Sequence, residues 1–385
     1  LLHDYDRHSP IGVQATVASL NFTDEMRRLG FHSVRLSAVF RDAPSFDKVM
    51  VSSSRDRVAM KREHEMDALQ RKTAHRNIQV SVGSDVVTKI AIVIVTYNSA
   101  SVLGGLLDSL PSGLEEVDSY DVLVVDNDSR DSSVDLAQRH PIGARVIQMG
   151  RNAGYAAAIN AAIETVSADT DVVVLNPDIR LQQGCVRHLS ERLSEATVGI
   201  VAPQILDEDR TLSLSLRREP TIITAWSDAL LGTKLAGLIG LGEIVAKPAL
   251  YQHGGVVEWA TGAALAISAR ARRDTGIWDE SFFLYSEEVD YMARVRRSGL
   301  NVVYEVKARA VHFGGAYHEN TYLSALMTTN RIRYFRRHHG PVATAVFRLA
   351  IIIGETMRFA LGPGHRASLR AALFFSPAPQ PPPPA

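Results

Sequence analysis

The chain has a single cysteine, Cys185, so no disulfide can form within it, and a reducing compartment suits it. It has no charge excess: 42 lysines and arginines balance 42 acids, which removes the bulk signature of a nucleic-acid binder. No stretch reaches the roughly 18 uncharged apolar residues that a membrane-spanning helix needs. No N-terminal stretch of the sequence has the basic-then-apolar plan of a secretory leader. Two nucleotide signatures are missing as well. No G-x-G-x-x-G follows the first strand-like run and no G-x-x-x-x-G-K-[ST] occurs anywhere, which speaks against a dinucleotide dehydrogenase and a P-loop enzyme.

What is present begins at Lys89. Before it, residues 1–87 show no core pattern and read as a poorly ordered extension. Gly30–Val39 could hold a strand and the charge-rich Asp56–Arg76 a solvated helix. From Ile90 the chain alternates strand-like and helix-like stretches about every 25–30 residues, the pattern of a mostly parallel sheet flanked by helices. Ile90–Val95, Asp121–Val125, Arg145–Met149, Val172–Leu175 and Val198–Ala202 are the strand candidates. Leu103, Leu106, Leu107 and Leu110 share a helix face that Pro111-Ser112-Gly113 should end. The alternation lapses over Leu206–Leu250, where the Gly-rich, apolar Leu230–Leu241 reads as a flexible acceptor-side or membrane-facing segment. Trp259–Ile267 is read as one strand, and Val302–Tyr304 and Ala310–Val311 as two short ones. Asn320–His339 reads as a basic helix and Val342–Leu361 as an amphipathic one, lying on a membrane surface or on the catalytic domain. The proline-rich end, 377–385, reads as a disordered tail.

Ligands of open α/β sheets bind beyond the carboxyl ends of the strands. Those ends carry Thr96, Asp126, Asn152 and Asp178, the last in the turn Asn176-Pro177-Asp178. Farther on, Gly262, Ala263 and Ala264 would let a ligand approach the backbone. Glu287, Glu288 and Asp290 open a helix, and Ser286 is a plausible N-cap. Acids in a first turn complement the helix dipole, which by itself explains them. His312 ends a strand, where a lone histidine is more often structural than a ligand.

The motifs Val95-Thr-Tyr-Asn98, Val125-Asp-Asn-Asp-Ser-Arg-Asp131, Asn152-Ala-Gly-Tyr155 with Asn160, Leu175-Asn-Pro-Asp178, Thr261-Gly-Ala-Ala264, Phe282–Asp290 and Val311-His312 follow one another in order. Together they resemble an inverting glycosyltransferase of family 2 with the GT-A fold, in the rhamnosyltransferase-like branch that builds bacterial cell-envelope polysaccharide. The resemblance implies a Rossmann-like catalytic domain over 88–320 and a C-terminal helical, membrane-associating segment over 321–376. It implies a nucleotide-sugar donor held by Thr96, Tyr97, Asn98, Asp126, Asn127, Asp131, Asn152, Gly154, Tyr155, Asn160 and Asn176. The acceptor, a lipid-linked sugar or polysaccharide, would meet Trp259, Gly262 and Ala263. Asp178 and His312 would bind Mg²⁺ or Mn²⁺. Glu288 stands where the family usually has an aspartate general base, with Glu287 its rival and Asp290 an orienting group. The implied site of action is the inner face of the cell membrane. A sugar nucleotidyltransferase is the nearest alternative enzyme, but Thr96–Ala100 lacks its Gly-rich loop with Arg and Lys. A non-catalytic scaffold should have lost Asp178 or the 287–290 acids, and both are present.

Overall fold

A computed structural model describes residues 35–38, 49–52, 89–314 and 320–375. The chain divides at Val86–Val87. In the first unit β1 (Arg35–Ala38) pairs antiparallel with β2 (Val49–Ser52), Arg35 facing Ser52. The strand expected within Gly30–Val39 is β1, whereas the expected helix Asp56–Arg76 lies outside the described residues, as does the tail from residue 376.

The second unit opens with β3 (Ile90–Thr96), every residue of which is buried. Its side chains alternate between two cores: Ala91, Val93 and Val95 enter one, Ile90, Ile92 and Ile94 the other. That is period-two burial on both faces, the mark of an interior strand. α1 (Ala100–Gly113) follows, then β4 (Tyr120–Asp126), α2 (Ser133–Arg139), β5 (Arg145–Gln148), α3 (Tyr155–Ile163), β6 (Asp171–Leu175), β7 (Ile179–Leu181), α4 (Cys185–Leu193) and β8 (Val198–Leu206). Pro111 does not stop α1 but sits inside its last turn. The leucine face of α1 packs on one side of the sheet and Ala156, Ala158, Ile159 and Ala162 of α3 on the other.

The stretch with no clear pattern forms β9 (Leu216–Arg217), α5 (Ile222–Leu231), α6 (Thr233–Leu238) and α7 (Pro248–His253). Then come β10 (Gly255–Val257), β11 (Trp259–Ala260), β12 (Ala264–Ile267), α8 (Ala269–Thr275), α9 (Glu287–Arg297) and β13 (Asn301–His312). The Trp259–Ile267 strand is therefore two: β11 pairs with β9, and β12 joins the main sheet. The two short strands after residue 301 are one, β13, with an irregularity between Glu305 and Arg309.

The central sheet has nine strands in the order β10-β13-β8-β12-β6-β3-β4-β5, with β7 also on β13. β3, β4, β5, β6, β8 and β13 run one way, so the sheet is mostly parallel. β12 lies antiparallel between β6 and β8, and β10 and β7 are antiparallel to β13.

Three helices close the described chain: α10 (Thr321–His338), α11 (Pro341–Met357) and α12 (Pro363–Leu373). They share a small core with α5, built from Ala225, Ala229, Ile332, Phe335, Phe347 and Ala350. The apolar half of the unreadable 206–250 stretch is thus the seat of the C-terminal helices. Three of the arginines of α10 bond the protein itself, although Arg336 and Arg337 are exposed. Arg331 bonds Glu243 at 2.5 Å, Arg333 bonds the Ser281 carbonyl, and Arg337 bonds the Asp279 carboxylate and Ser281 Oγ. The basic face expected to meet a membrane is largely spent on the protein itself.

Candidate active site

The carboxyl ends of β3 and β4 form one network. Thr96 Oγ1 donates to Asp126 Oδ1 at 2.8 Å, and the same carboxylate accepts from Ser129 N–H at 2.8 Å and Ser129 Oγ at 2.5 Å. Ser129 Oγ in turn accepts from Asn98 N–H, and Asn98 Oδ1 accepts from Arg130 N–H, both at 2.8 Å. Asn98 and Asp128 take φ of 50° and 65°, which small polar side chains tolerate. Burial alone would raise Asp131, but hydrogen bonds from Ser133 and from Ala100 N–H outweigh it and hold the carboxyl low. Tyr97 lies in the same turn, its N–H bonded to Ser99 Oγ. In this structure Thr96, Asp126 and Asp131 shape the loops at these strand ends; Asn127 spans to the next loop, donating to Gly154 O and accepting from Ala153 N–H.

Gly154 is pinned. Its φ is 92°, and a Cβ there would lie 2.3 Å from the carbonyl oxygen of Phe283. That closeness lets Tyr155 N–H donate to Phe283 O at 2.7 Å, tying the Asn152–Tyr155 loop to the segment before α9. Asn152 supports the turn, its Oδ1 accepting from Gly154 N–H at 3.3 Å. Asn160 is placed otherwise than expected. It is buried, and its amide is spent on the backbone of Trp278 and on Glu280 Oε1, so it clasps the loop before α9 instead of facing a ligand.

Tyr155 is the crossing point. Its hydroxyl donates to Asn176 Oδ1 at 2.8 Å and lies 3.3 Å from Gly262 O. Burial lifts its phenol well above the usual range, and the charges of Glu287, Glu288 and Asp178 lift it further. Both acidic clusters therefore surround one tyrosine.

The first cluster comes from β7 pairing with the end of β13, where Ile179 faces His312. This sets Asp178 Oδ2 3.2 Å from His312 Nε2. Asp178 Oδ1 is buried with no partner. Gly314 makes room: a Cβ there would fall 2.0 Å from Asp178 Oδ2. An orphaned carboxylate oxygen beside an imidazole nitrogen fits a divalent cation that completes its shell with phosphate and water. Among the described residues no third histidine, cysteine or acid joins them.

The second cluster opens α9. Ser286 occupies the N-cap position in a left-handed conformation and its side chain caps nothing, contrary to expectation. Glu287 is buried and Glu288 half-buried, each with one orphaned oxygen. Burial pushes Glu287 well above the carboxylate range, with Glu288 adding repulsion. Burial also pushes Glu288 up to about 6, outweighing hydrogen bonds from the helix N-terminus. The helix end was expected to favour the ionised form; desolvation wins. Glu288 flanks the Thr261–Ala263 turn, its side chain 3.5 Å from where a Cβ on Gly262 would lie. Asp290 is taken by Arg294 at 2.8 Å. Of the acceptor residues expected, Gly262 lies beside Glu288, and Ala263 O accepts from Asn176 N–H. Trp259 is buried, its indole N–H donating to Arg218 O, so it belongs to the core.

Sequence reasoning missed Glu243, whose charge also raises Glu288, and Arg331, which grips it. It also missed Asn330 and the backbone of Phe283. Glu243, Arg331 and Asn330 sit in no motif, and the part Phe283 plays is a backbone one that its place in the Phe282–Asp290 motif does not reveal.

Residues 91–237 match the model for glycosyl transferase family 2. The chain is 28% identical over 261 residues to an N-acetylglucosaminyl-diphospho-decaprenol L-rhamnosyltransferase of Mycobacterium tuberculosis, covering 61% of this chain and 83% of that protein. It is 27% identical over 216 residues to the low-salt glycan biosynthesis hexosyltransferase Agl10 of Haloferax volcanii, covering 55% of this chain and 63% of that one. Among solved structures, the mannosyltransferase PcManGT from Pyrobaculum calidifontis, in complex with GDP-Man and Mn²⁺, aligns at 16% identity with a TM-score of 0.47, over 82% of this chain and 85% of that one.

Proposed function

The chain carries a glycosyl transferase family 2 domain and is a glycosyltransferase; from that premise we propose that it moves a sugar, with inversion, from a nucleoside diphosphate donor to a lipid-linked or polysaccharide acceptor. The donor we favour is dTDP-rhamnose or a close analogue. The acceptor we favour is a glycosyl diphospholipid, as in the name of the mycobacterial relative. The observation that carries this reading is the arrangement around Tyr155: the Asp178–His312 pair on one side, Glu287 and Glu288 on the other.

Asp178 and His312 would hold Mg²⁺ or Mn²⁺, which neutralises charge on the leaving diphosphate. Glu288 takes the proton of the acceptor hydroxyl as that oxygen bonds to the sugar's anomeric carbon. The bond from that carbon to the diphosphate oxygen breaks on the opposite face, which inverts the centre. A base with a pKa of about 6 is ionised at neutral pH yet basic enough to accept a proton in the transition state. Glu287, more buried and held higher, keeps Glu288's pocket dry; Asp290, paired to Arg294, orients α9. The donor-side loops, from Thr96 to Tyr155, form the nucleotide wall.

We further propose that the protein acts at the cytoplasmic face of a membrane, through apolar contact. Among the described residues no helix is long and apolar enough to cross a bilayer. The junction of α5, α6 and the end of α11 nevertheless exposes Leu230, Leu235, Leu238, Met357, Phe359 and Leu361, with Leu238 72% and Leu361 74% exposed. Arg358 bonds Asp228 O and fixes that junction.

The test is transfer from dTDP-rhamnose to a diphospholipid-linked N-acetylglucosamine, with and without Mg²⁺ or Mn²⁺. Asp178→Asn should fold normally and lose metal-dependent donor binding, with His312→Ala weakened less. Donor binding in Asp178→Asn that still responds fully to metal would refute the metal assignment.

A further inference from the structure

We infer that Asn330 is a positioning residue for catalysis: from α10, outside the matched 91–237 region, its amide holds the backbone that aims Glu287 and Glu288. The inference rests on the reading of those glutamates as the site of the base.

The segment before α9 is held in a shape its own sequence does not favour. Phe283, Tyr285 and Ser286 have φ of 62°, 70° and 71°, a region that side chains larger than glycine avoid. Such a conformation persists only when its surroundings over-determine it, and here three carbonyls in a row are gripped. Phe282 O accepts from Asn330 Nδ2 at 2.6 Å and Leu284 O from the same nitrogen at 2.8 Å. Between them, Phe283 O accepts from Tyr155 N–H at 2.7 Å. One amide therefore clamps the segment on both sides of its first left-handed residue, while the Gly154 loop holds the middle.

Asn330 is 0% exposed and its Oδ1 has no partner. Turning the amide over would set that oxygen against two carbonyl oxygens, so the carbonyls dictate its orientation. A buried orphan acceptor is costly, and the compensating interaction is the pair of donated bonds. An asparagine placed only to fill the core gains nothing from that arrangement; a leucine would pack without the penalty. The bonds also span 46 and 48 residues of sequence, so they tie α10 to the site and do not cap a local turn. Two neighbours on α10 act on the same segment from its exposed side, Arg333 at Ser281 O and Arg337 at Asp279 and Ser281 Oγ.

Asn330→Asp keeps the shape and removes both donors; Asn330→Gln keeps the donors on a longer arm. For rhamnose transfer from dTDP-rhamnose, Asn330→Asp should lose about 10–100-fold in kcat through misplacement of the base. Its donor KM should stay within about threefold of the parent, since Asn330 bonds no donor-side loop itself and the Tyr155–Phe283 bond remains. Asn330→Gln should regain part of the lost kcat. If Asn330→Asp does not accumulate as folded protein, Asn330→Ser, with one donor, carries the same expectation. A variant with kcat within about twofold of the parent overturns the inference. So does a kcat loss that appears only as the melting temperature nears the assay temperature, for that is a merely structural role. Failure of the underlying reading is separately visible: Glu287→Gln and Glu288→Gln variants that both keep full kcat would remove the base, whatever the Asn330 variants do.

Discussion

Glu288→Gln should make the protein more stable and almost inactive, and both effects have one cause. An ordinary glutamate titrates near 4.5; burial raises Glu288 to about 6. Between those values the folded chain holds a proton that the unfolded chain has released. Stability therefore falls as pH rises through that window, and above it the ionised carboxylate costs the fold its full penalty. A rise of about 1.5 units corresponds to about 2 kcal/mol, reduced to about 1–2 kcal/mol by the water that reaches a half-buried group. Glutamine has nearly the same shape and no charge, so at pH 7.5 the variant should melt about 1.5–3 °C higher, the shift expected for a unit of this size. At pH 5, where Glu288 is itself mostly protonated, the gain should shrink towards zero. Transfer should drop about 10²–10⁴-fold at neutral pH, the span for a lost general base, and Glu288→Asp should recover much of it. The assays are thermal melts at the two pH values and initial rates at saturating donor. A variant no more stable than the parent at pH 7.5, or equally stabilised at both pH values, would refute the claim that desolvation governs this carboxylate.

Two further outcomes follow from the packing. Gly154→Ala must shift Phe283, because φ is 92° and the new methyl would meet its carbonyl oxygen at 2.3 Å; a loss of about 2–4 kcal/mol is expected, read by denaturant melts, with transfer falling alongside. In liposome flotation, binding should survive high salt and be lost on Leu238→Glu or Leu361→Glu, because apolar side chains carry it; binding abolished by salt alone would restore the electrostatic mode that the arginines of α10 first suggested.

Local patterns were legible where one residue's neighbours in sequence are also its neighbours in space. β3 was visible because an interior strand is apolar throughout, and the leucine face of α1 because it repeats at helical spacing. The motifs at strand ends led to Asp178, His312, Tyr155 and Glu288, which the fold does bring around one phenol. Illegible were the residues defined by distant partners. Asn330 looks like an ordinary polar residue of a basic helix, and its meaning lies in carbonyls almost fifty positions earlier. Asn160 stood inside a motif and Trp259 just before one, and so looked like ligand contacts, yet their polar atoms serve the backbone. The arginines of α10 looked wholly free for the same reason: charge is written in sequence, whereas the partners that take up part of it are not. The 206–250 stretch showed no period because its elements are short and α5 buries its apolar side against helices that come more than a hundred residues later.

The antiparallel strand at the centre of the sheet bears on how the chain assembles. β12 is made last among its neighbours, after β6 and β8, yet it sits between them and pairs with both. Until Ala264–Ile267 emerges during synthesis, β6 and β8 each present an open hydrogen-bonding edge in the middle of the future core. The sheet therefore cannot zip up from its N-terminal half; it must wait for a late insertion of high sequence separation, a slow and aggregation-exposed step. Residues 91–237, although they carry the match to the family model and the loops proposed to wall the nucleotide, are then not a self-sufficient folding unit. The smallest piece that closes the sheet also needs β12 and β13, the strand that carries His312, so assembly of the core and the meeting of His312 with Asp178 are one event.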